Sequence, residues 1–277
     1  MSHCWIKNNC YDLIHVHTPI ASFITRLSCR NIPNLKIIYT AHGFHFYKGA
    51  PLINWILYYP IEKWLSRYTD CLITINNEDY NTAINRRFKA KEIKLVHGVG
   101  IDLNKFTPQT SERKDQLRKK YGYKKEDFIL FYAAELNYNK HQDLLINVVS
   151  TLKNRIPNIK LLLAGSGPLK DKYQKMINEL NLNSYITLLG LRKDVPNLLA
   201  LSDIVLAASR REGLPVNIME AMATGLPVVA TDIRGHCDLI INGENGYIVG
   251  LDDIEGFAKS IEYLYKYKEL RNKFGKK

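Results

Sequence analysis

Two carboxylates in the second half of the chain, Glu212 and Glu220, are spaced so that both could project toward one crevice. The turn of Gly213, Leu214 and Pro215 lies between them and leads into an apolar helical stretch. Backbone N–H groups at such a helix start favour bound anions. Glu212 follows a predicted strand, at the edge where open α/β sheets bind their ligands. Two solvated carboxylates beside a helix would be the plainer interpretation, and the turn favours a ligand site.

A lysine and a histidine also follow predicted strands. Lys140 comes soon after the strand predicted at Phe128–Ala133, where its charge could hold an anionic ligand. His42 closely follows the strand predicted at 36–40. The plainer interpretations are a solvated lysine at a helix start and a histidine that only hydrogen-bonds its neighbours.

Two glycines, Gly165 and Gly167, follow the strand predicted at 160–164 and permit a sharp turn of the backbone. They lack the third glycine of the dinucleotide-binding fingerprint, as does the segment Gly98-Val99-Gly100. The glycines therefore predict a tight loop and not a dinucleotide site.

The sequence predicts no bound metal ion and no other cofactor. No Asp-x-Asp motif occurs, and one grouping of metal-binding residue types, His3, Cys4, Cys10, His15 and His17, matches none of the zinc spacings. The five cysteines are scattered without a C-x-x-C pair, which indicates reduced thiols in a cytoplasmic protein.

The elements that position these residues alternate between strand and helix. Short runs rich in Ile, Val and Leu predict strands at 12–16, 36–40, 71–75, 93–96, 128–133, 160–164, 186–189, 204–207, 227–230 and 247–249. Helical patterns lie between them, most clearly at 143–156, where apolar residues recur every three or four positions. This alternation predicts parallel sheets with right-handed crossovers.

Length and charge agree with two globular domains. A chain of 277 residues fits two domains of ordinary size, and the Gly-, Asp- and Pro-containing segment 98–109 predicts a linker. We therefore predict a first domain over 1–107 with four strands and a second over 108–277 with six. The net charge of +12 is divided evenly between them and suits anionic partners. No stretch is long and apolar enough to cross a membrane, and no pattern indicates binding of nucleic acid.

The segment from Glu212 to Glu220 resembles the donor-binding motif of the family 4 glycosyltransferases. These enzymes have GT-B architecture, in which two Rossmann-like α/β domains face each other across a cleft. The stretch from Leu163 to Leu169 is similar to the family's glycine loop, and Tyr39-Thr40-Ala41-His42-Gly43 to its strand-end histidine. The runs 15–19 and 42–62 resemble a bacterial branch that builds capsular and other surface polysaccharides.

The resemblance implies transfer of a sugar from a nucleotide-sugar, expected to be a UDP-sugar, to a polysaccharide or lipid-linked acceptor with retention of configuration. Carried over by position, Glu212 would contact hydroxyls of the donor sugar and Glu220 those of the ribose. Lys140 would hold the diphosphate, and His42 would approach the donor from the first domain. The donor would also contact Gly165, Gly167, Gly213, Leu214 and Pro215. Enzymes of this architecture generally work without a bound metal.

The sequence departs from the family pattern near the expected diphosphate site and at its two ends. Glu135 stands where the family usually has an arginine, five residues before the lysine, which leaves the site one cation short. The family's opening strand, glycine-rich loop and helix are missing, as is its final returning helix, so we expect an incomplete first domain. A shortened, non-catalytic chain or partner subunit that only binds nucleotide is therefore the alternative function. A sugar-nucleotide epimerase of the same architecture is a further alternative.

An aromatic segment in the first domain contains Trp55, Tyr58, Tyr59 and Trp64, with lysines and arginines nearby. The plainer interpretation is a core helix whose basic side chains reach the solvent. The alternative is peripheral contact with the inner face of the plasma membrane, which would bring a cytoplasmic enzyme to a lipid-linked acceptor.

Overall fold

A computed structural model describes residues 11–276 of the chain. His3, Cys4 and Cys10, which belong to the grouping of metal-binding residue types, lie outside the described residues. The chain divides between Gly98 and Val99 into two compact units, and each unit is described by itself. The domain boundary at 107 stays a prediction.

The first unit contains a four-stranded parallel sheet in the order β1-β2-β3-β4. Its core gathers Tyr39, Phe44 and Phe46, against which Trp55 and Tyr59 pack. This core fixes the carboxyl end of β2, directly before His42. The elements of the unit are β1 (Leu13–Val16), α1 (Pro19–Cys29), β2 (Lys36–Ala41), α2 (Leu52–Leu65), β3 (Cys71–Thr74), α3 (Asn77–Asn85) and β4 (Glu92–Leu95).

The second unit contains a six-stranded parallel sheet in the order β10-β9-β8-β5-β6-β7. Its strands are β5 (Phe128–Ala133), β6 (Ile159–Ala164), β7 (Ile186–Gly190), β8 (Ile204–Ala207), β9 (Val228–Thr231) and β10 (Gly246–Val249). Its helices are α4 (Ser111–Lys120), α5 (Gln142–Leu152), α6 (Lys170–Glu179), α7 (Val195–Leu201), α8 (Val216–Ala223), α9 (Arg234–Cys237), α10 (Ile254–Lys266) and α11 (Lys268–Phe274).

Continuous apolar runs form the central strands of the second unit because helices cover both faces of a parallel sheet. All four residues of β8 and of β9 are buried. Helix α5 buries the apolar residues that recur every three or four positions, among them Leu145, Val148 and Leu152. The rigid strands therefore hold the loops at their carboxyl ends in fixed places.

The predicted fold class is confirmed, and each predicted strand is present with ends within one residue of the prediction. The short helix α11 is an element that the sequence prediction missed. Its sequence is mostly charged and offers only Leu270 and Phe274 as apolar positions, too few for a helical period to stand out. Phe274 is buried and packs edge-on against Tyr247, with ring centroids 5.4 Å apart.

The aromatic segment of the first unit is divided between core and surface. Trp55 and Tyr59 pack on the core, whereas the side of α2 that carries Leu52, Ile53 and Ile56 is between 62% and 73% exposed. A helix of this unit thus presents a row of apolar side chains to its surroundings. Within residues 11–276, no helix has the length and apolar character needed to cross a membrane.

Candidate functional site

The strand order of the second unit changes direction between β5 and β8. From β5 the chain adds β6 and β7 on one side, and then returns to add β8, β9 and β10 on the other. Such a switch point leaves a crevice at the carboxyl ends of the two strands, where open α/β sheets bind ligands. Lys140 follows β5 and Glu212 follows β8, so both lie in loops that flank this crevice.

Lys140 and Glu212 meet in a salt bridge between Nζ and Oε1. Their side chains are 26% and 16% exposed, so the pair is partly shielded from water. The backbone of Lys140 is held at both ends. Its N–H donates to the Asn137 side chain over 3.0 Å, and its carbonyl accepts from the Tyr132 hydroxyl over 3.2 Å. The lysine charge is therefore presented from a fixed backbone.

The loops that carry these two residues are joined by further hydrogen bonds. The N–H of Arg210 donates to the carbonyl of Asn139 over 2.7 Å. The side-chain amide of Asn139 donates in return to the carbonyl of Arg211 over 3.0 Å. These bonds involve residues next to Lys140 and Glu212 in sequence. They therefore hold the two loops together beside the salt bridge.

Glu220 lies on the second turn of α8, the helix that begins after the turn Gly213-Leu214-Pro215. The side chain of Asn217 anchors this helix to the sheet by donating to the carbonyl of Ala133 over 3.3 Å. Burial raises the pKa of Glu220, and among residues 11–276 no hydrogen bond to its carboxylate is found. A half-buried carboxylate of this kind is stabilised by hydroxyl groups that donate to it.

The glycine loop after β6 packs directly against the loop after β5. A Cβ atom at Gly165 would stand 1.9 Å from the carbonyl oxygen of Ala134, and one at Gly167 would stand 2.4 Å from that of Leu136. Gly165 also has a φ of +147°, which favours glycine. The glycines are therefore required where two loops of the site touch.

Glu135 is exposed, and its carboxylate accepts a hydrogen bond of 2.9 Å from the side chain of Asn137. Asn137 thereby holds both the carboxylate of Glu135 and the backbone of Lys140. This role of Asn137 was not predicted. An Asn three residues before the lysine is the signal that could have shown it, because Asn caps short helical turns.

The start of α9 supports the back of the Glu212 loop, which the sequence prediction also missed. A Cβ at Gly235 would come within 2.8 Å of the Gly213 carbonyl and 3.0 Å of the Glu212 Cβ. His236 beside it is fully buried, with Nδ1 2.9 Å from the Thr231 carbonyl. Burial lowers the pKa of His236 to about 4. This imidazole is therefore neutral at physiological pH.

His42 belongs to the first unit, where it forms a row with two other histidines. Its Nε2 lies 3.1 Å from Nδ1 of His17, and Nε2 of His15 lies 2.8 Å from Oγ1 of Thr40. Desolvation, with the charge of His17, holds the pKa of His42 below its usual value. The lowered pKa favours the neutral imidazole of His42, which donates one hydrogen bond and accepts another. Among the described side chains, no group of three His, Cys, Asp or Glu is arranged to hold a metal ion.

A cavity of about 590 Å³ lies at the other edge of the second sheet, before the starts of β5, β8 and β9. Three of its cations are engaged in structural contacts. Lys114 and Arg118 form salt bridges of 2.8 and 2.6 Å with Asp203, and Arg271 donates to the carbonyl of Tyr265 over 2.9 Å. Since these bonds stabilise the ends of helices and strands, the candidate site remains at the carboxyl edge.

Both parts of the chain match family models of sugar-transferring enzymes. Residues 113–277 match the model described as glycosyl transferases group 1. Residues 3–105 match the model described as glycosyltransferase family 4. Together the two matches include the loops that carry His42, Lys140 and Glu212.

Curated relatives agree with these models. The chain is 44% identical to the glycosyltransferase EpsD of Bacillus subtilis over 96% of this chain and 70% of that protein. It is 29% identical to an Escherichia coli enzyme named UDP-Gal:alpha-D-GlcNAc-diphosphoundecaprenol alpha-1,3-galactosyltransferase, over 92% of this chain and 67% of that enzyme.

The fold agrees with a solved structure. The crystal structure of Anabaena Alr3699/HepE in complex with UDP superimposes with a TM-score of 0.85 over 99% of this chain and 74% of that protein, at 22% identity. The two parallel α/β sheets are those of GT-B architecture, as the sequence predicted.

The glycine contacts generate a prediction about the site's framework. Gly165→Ala should lower the midpoint of thermal unfolding by several degrees, because the added methyl group has no space against the Ala134 carbonyl. Gly100→Ala is the matched control, since nothing lies within 4 Å of a Cβ there, and it should leave the midpoint unchanged. Equal midpoints for the two variants would contradict the packing described for this loop.

Proposed function

The chain belongs to the family 4 glycosyltransferases, and we propose that it transfers a hexosyl group from a UDP-sugar to a surface-polysaccharide or lipid-linked acceptor with retention of configuration. The observation that carries this proposal is the Lys140–Glu212 salt bridge at the switch point of the second sheet. It supplies both a cation for a diphosphate and a carboxylate for sugar hydroxyls in one place.

Lys140 is the residue to which we assign the diphosphate. Breaking the bond between sugar and diphosphate builds negative charge on the departing phosphate, and a fixed cation stabilises that charge. The backbone of Lys140 is held by Asn137 and Tyr132, so little reorganisation accompanies the reaction. The N–H groups of Gly213 and Leu214, which precede the start of α8, would add positive dipoles to the site.

Glu220 is assigned to the ribose hydroxyls of the nucleotide. Its half-buried carboxylate has a raised pKa, and two donating hydroxyl groups would stabilise the ionised form. Gly165 and Gly167 let the glycine loop pack against the loop after β5 that carries Lys140, and we assign the backbone of this glycine loop to the donor as well. The donor would thus be bound at both its nucleoside and its diphosphate.

Glu212 is assigned to the hydroxyl groups of the donor sugar and not to nucleophilic attack. A diphosphate that engages Lys140 competes with Glu212 for the lysine, which frees the carboxylate to accept hydrogen bonds from the sugar. The departing phosphate then takes the proton of the acceptor hydroxyl as the new bond forms on the same face. His42 is assigned a contact to the donor from the first unit.

The acceptor is proposed to be carried by a lipid at a membrane surface. The named E. coli relative acts on a diphosphoundecaprenol-linked sugar. In this chain, Leu52, Ile53 and Ile56 of α2 are exposed, and the basic residues Lys48 and Arg67 flank the helix. An exposed apolar row with basic flanks complements a membrane that contains anionic phospholipids. This contact would place the enzyme at the inner face of the plasma membrane.

The assignment of the salt bridge predicts opposite effects of its two members on UDP binding. Lys140→Ala should weaken UDP affinity about tenfold, because a charge-assisted bond to the diphosphate is lost. Glu212→Gln should strengthen UDP affinity roughly threefold, because a negative charge beside the diphosphate is removed. The same Glu212→Gln change should weaken whichever of UDP-glucose, UDP-galactose and UDP-N-acetylglucosamine the wild type binds best. Isothermal titration calorimetry measures all three effects.

A surface salt bridge provides the matched control for this experiment. Lys175 and Glu179 are 3.7 Å apart with side chains 78% and 64% exposed, and Lys175→Ala and Glu179→Gln should leave UDP affinity unchanged. Affinities of Lys140→Ala and Glu212→Gln equal to that of the wild type would place the diphosphate elsewhere. A wild-type chain that does not bind UDP would contradict the proposed donor.

The membrane assignment predicts that the double change Ile53→Ser and Ile56→Ser weakens binding to phosphatidylglycerol-containing vesicles about thirtyfold. The reason is that each isoleucine loses roughly a kcal/mol or more of apolar burial at the interface. Vesicle co-sedimentation measures this binding. Ile241→Ser is the matched control, since Ile241 is 59% exposed in the second unit. Equal sedimentation of the double variant and the wild type would exclude α2 as the contact.

A further inference from the structure

His141, the residue after Lys140, adopts a backbone conformation that favours glycine. Its φ and ψ are +55° and +42°, in the left-handed region. A residue with a Cβ atom adopts this region only at a cost in free energy that glycine avoids. The side chain is nevertheless 6% exposed, so the imidazole must make contacts that offset this cost.

The imidazole of His141 is enclosed by charged groups from the first turn of α5 and from the loops after β8 and β10. Its Nδ1 lies 2.9 Å from Oδ1 of Asp143, and its Nε2 lies 3.0 Å from Oδ1 of Asp252. The Nη2 atom of Arg210 lies 3.0 Å from each ring nitrogen, and its Nη1 lies 3.2 Å from Oδ1 of Asp252. The bond to His141 holds the pKa of Asp143 below its usual value.

The residues of this cluster lie next to the two charged residues of the site. His141 is adjacent to Lys140 in the loop after β5, and Arg210 is two residues before Glu212 in the loop after β8. Asp252 comes from the loop after β10 and bonds to both. The cluster therefore fixes the distance between the backbones that carry the lysine and the glutamate.

We propose that His141, Arg210 and Asp252 form a positioning cluster that sets where the Lys140 ammonium group meets the donor diphosphate. The inference rests on the proposed role of Lys140 and adds residues that act through it. The three side chains need no contact with the nucleotide. Their effect is to hold one cation at a fixed place. Less conformational entropy is then lost when the diphosphate binds, because the lysine is already ordered.

The cluster has a consequence that simple stabilisation of the fold lacks. Loss of the cluster would displace the diphosphate cation and leave the nucleoside site intact. Affinity for UDP would fall, whereas affinity for uridine, which has no phosphate, would not. A residue that only stabilised the fold would change the unfolding temperature, or would change both affinities alike.

The test uses His141→Gly, because glycine keeps the backbone conformation and removes the imidazole. We expect UDP affinity to fall about tenfold, uridine affinity to stay within about twofold, and the unfolding midpoint to stay within a few degrees of the wild type. Asn adopts the left-handed region readily and can hydrogen-bond, so His141→Asn should recover part of the UDP affinity. Asn181→Gly is the matched control, since Asn181 has a φ of +52° elsewhere in the second unit.

The outcomes separate this inference from the proposed function. The same measurements on Lys140→Ala should show the UDP-specific loss, and its absence there would overturn the role of Lys140. If Lys140→Ala behaves as expected but His141→Gly binds UDP like the wild type, or loses UDP and uridine equally, the positioning cluster is wrong. Asp252→Asn repeats the test with a side chain that is 68% exposed and therefore tolerant of change. A UDP-specific loss is expected there too, and wild-type binding would contradict the inference.

Discussion

The salt bridge between Lys140 and Glu212 is the interaction on which the candidate site depends. It joins the loops after β5 and β8, the two strands at which the order of the second sheet reverses. Without a ligand the two opposite charges stabilise each other. A bound diphosphate and sugar can replace the salt bridge, because each charge then has a new partner. The buried parallel strands and the hydrogen bonds between the loops hold both charged side chains in fixed positions.

Much of the fold could be predicted from the sequence because parallel strands buried on both faces appear as continuous apolar runs. The strand Phe128–Ala133 has the same ends in the sequence pattern and in the structure. Helix α11 was missed because Phe274 is its buried residue, and a single buried position does not produce a helical period in the sequence. The residues Lys140 and Glu212 could be singled out because charged residues soon after strand ends are a local signal.

Apart from Asn137, the supporting residues of the site could not be predicted, since their roles depend on contacts between distant loops. His141 bonds Asp252, 111 residues further along the chain, and Gly235 packs against the backbone of Gly213. Neither relation has a spacing that a sequence pattern could show. The left-handed conformation of His141 is likewise visible only in the structure. The assignments of Lys140, Glu212, Glu220 and His42 to the donor stay predictions.

The measurement that tests the central claim most directly is a crystal structure of the chain with bound UDP. The account predicts the diphosphate at the carboxyl edge of the second sheet, with a phosphate oxygen within hydrogen-bond distance of Lys140 Nζ and the ribose hydroxyls on the Glu220 carboxylate. It also predicts that the Lys140–Glu212 salt bridge is lengthened or broken in that complex. UDP bound away from this edge, or bound there with the salt bridge unchanged and Lys140 not in contact with phosphate, would contradict the account.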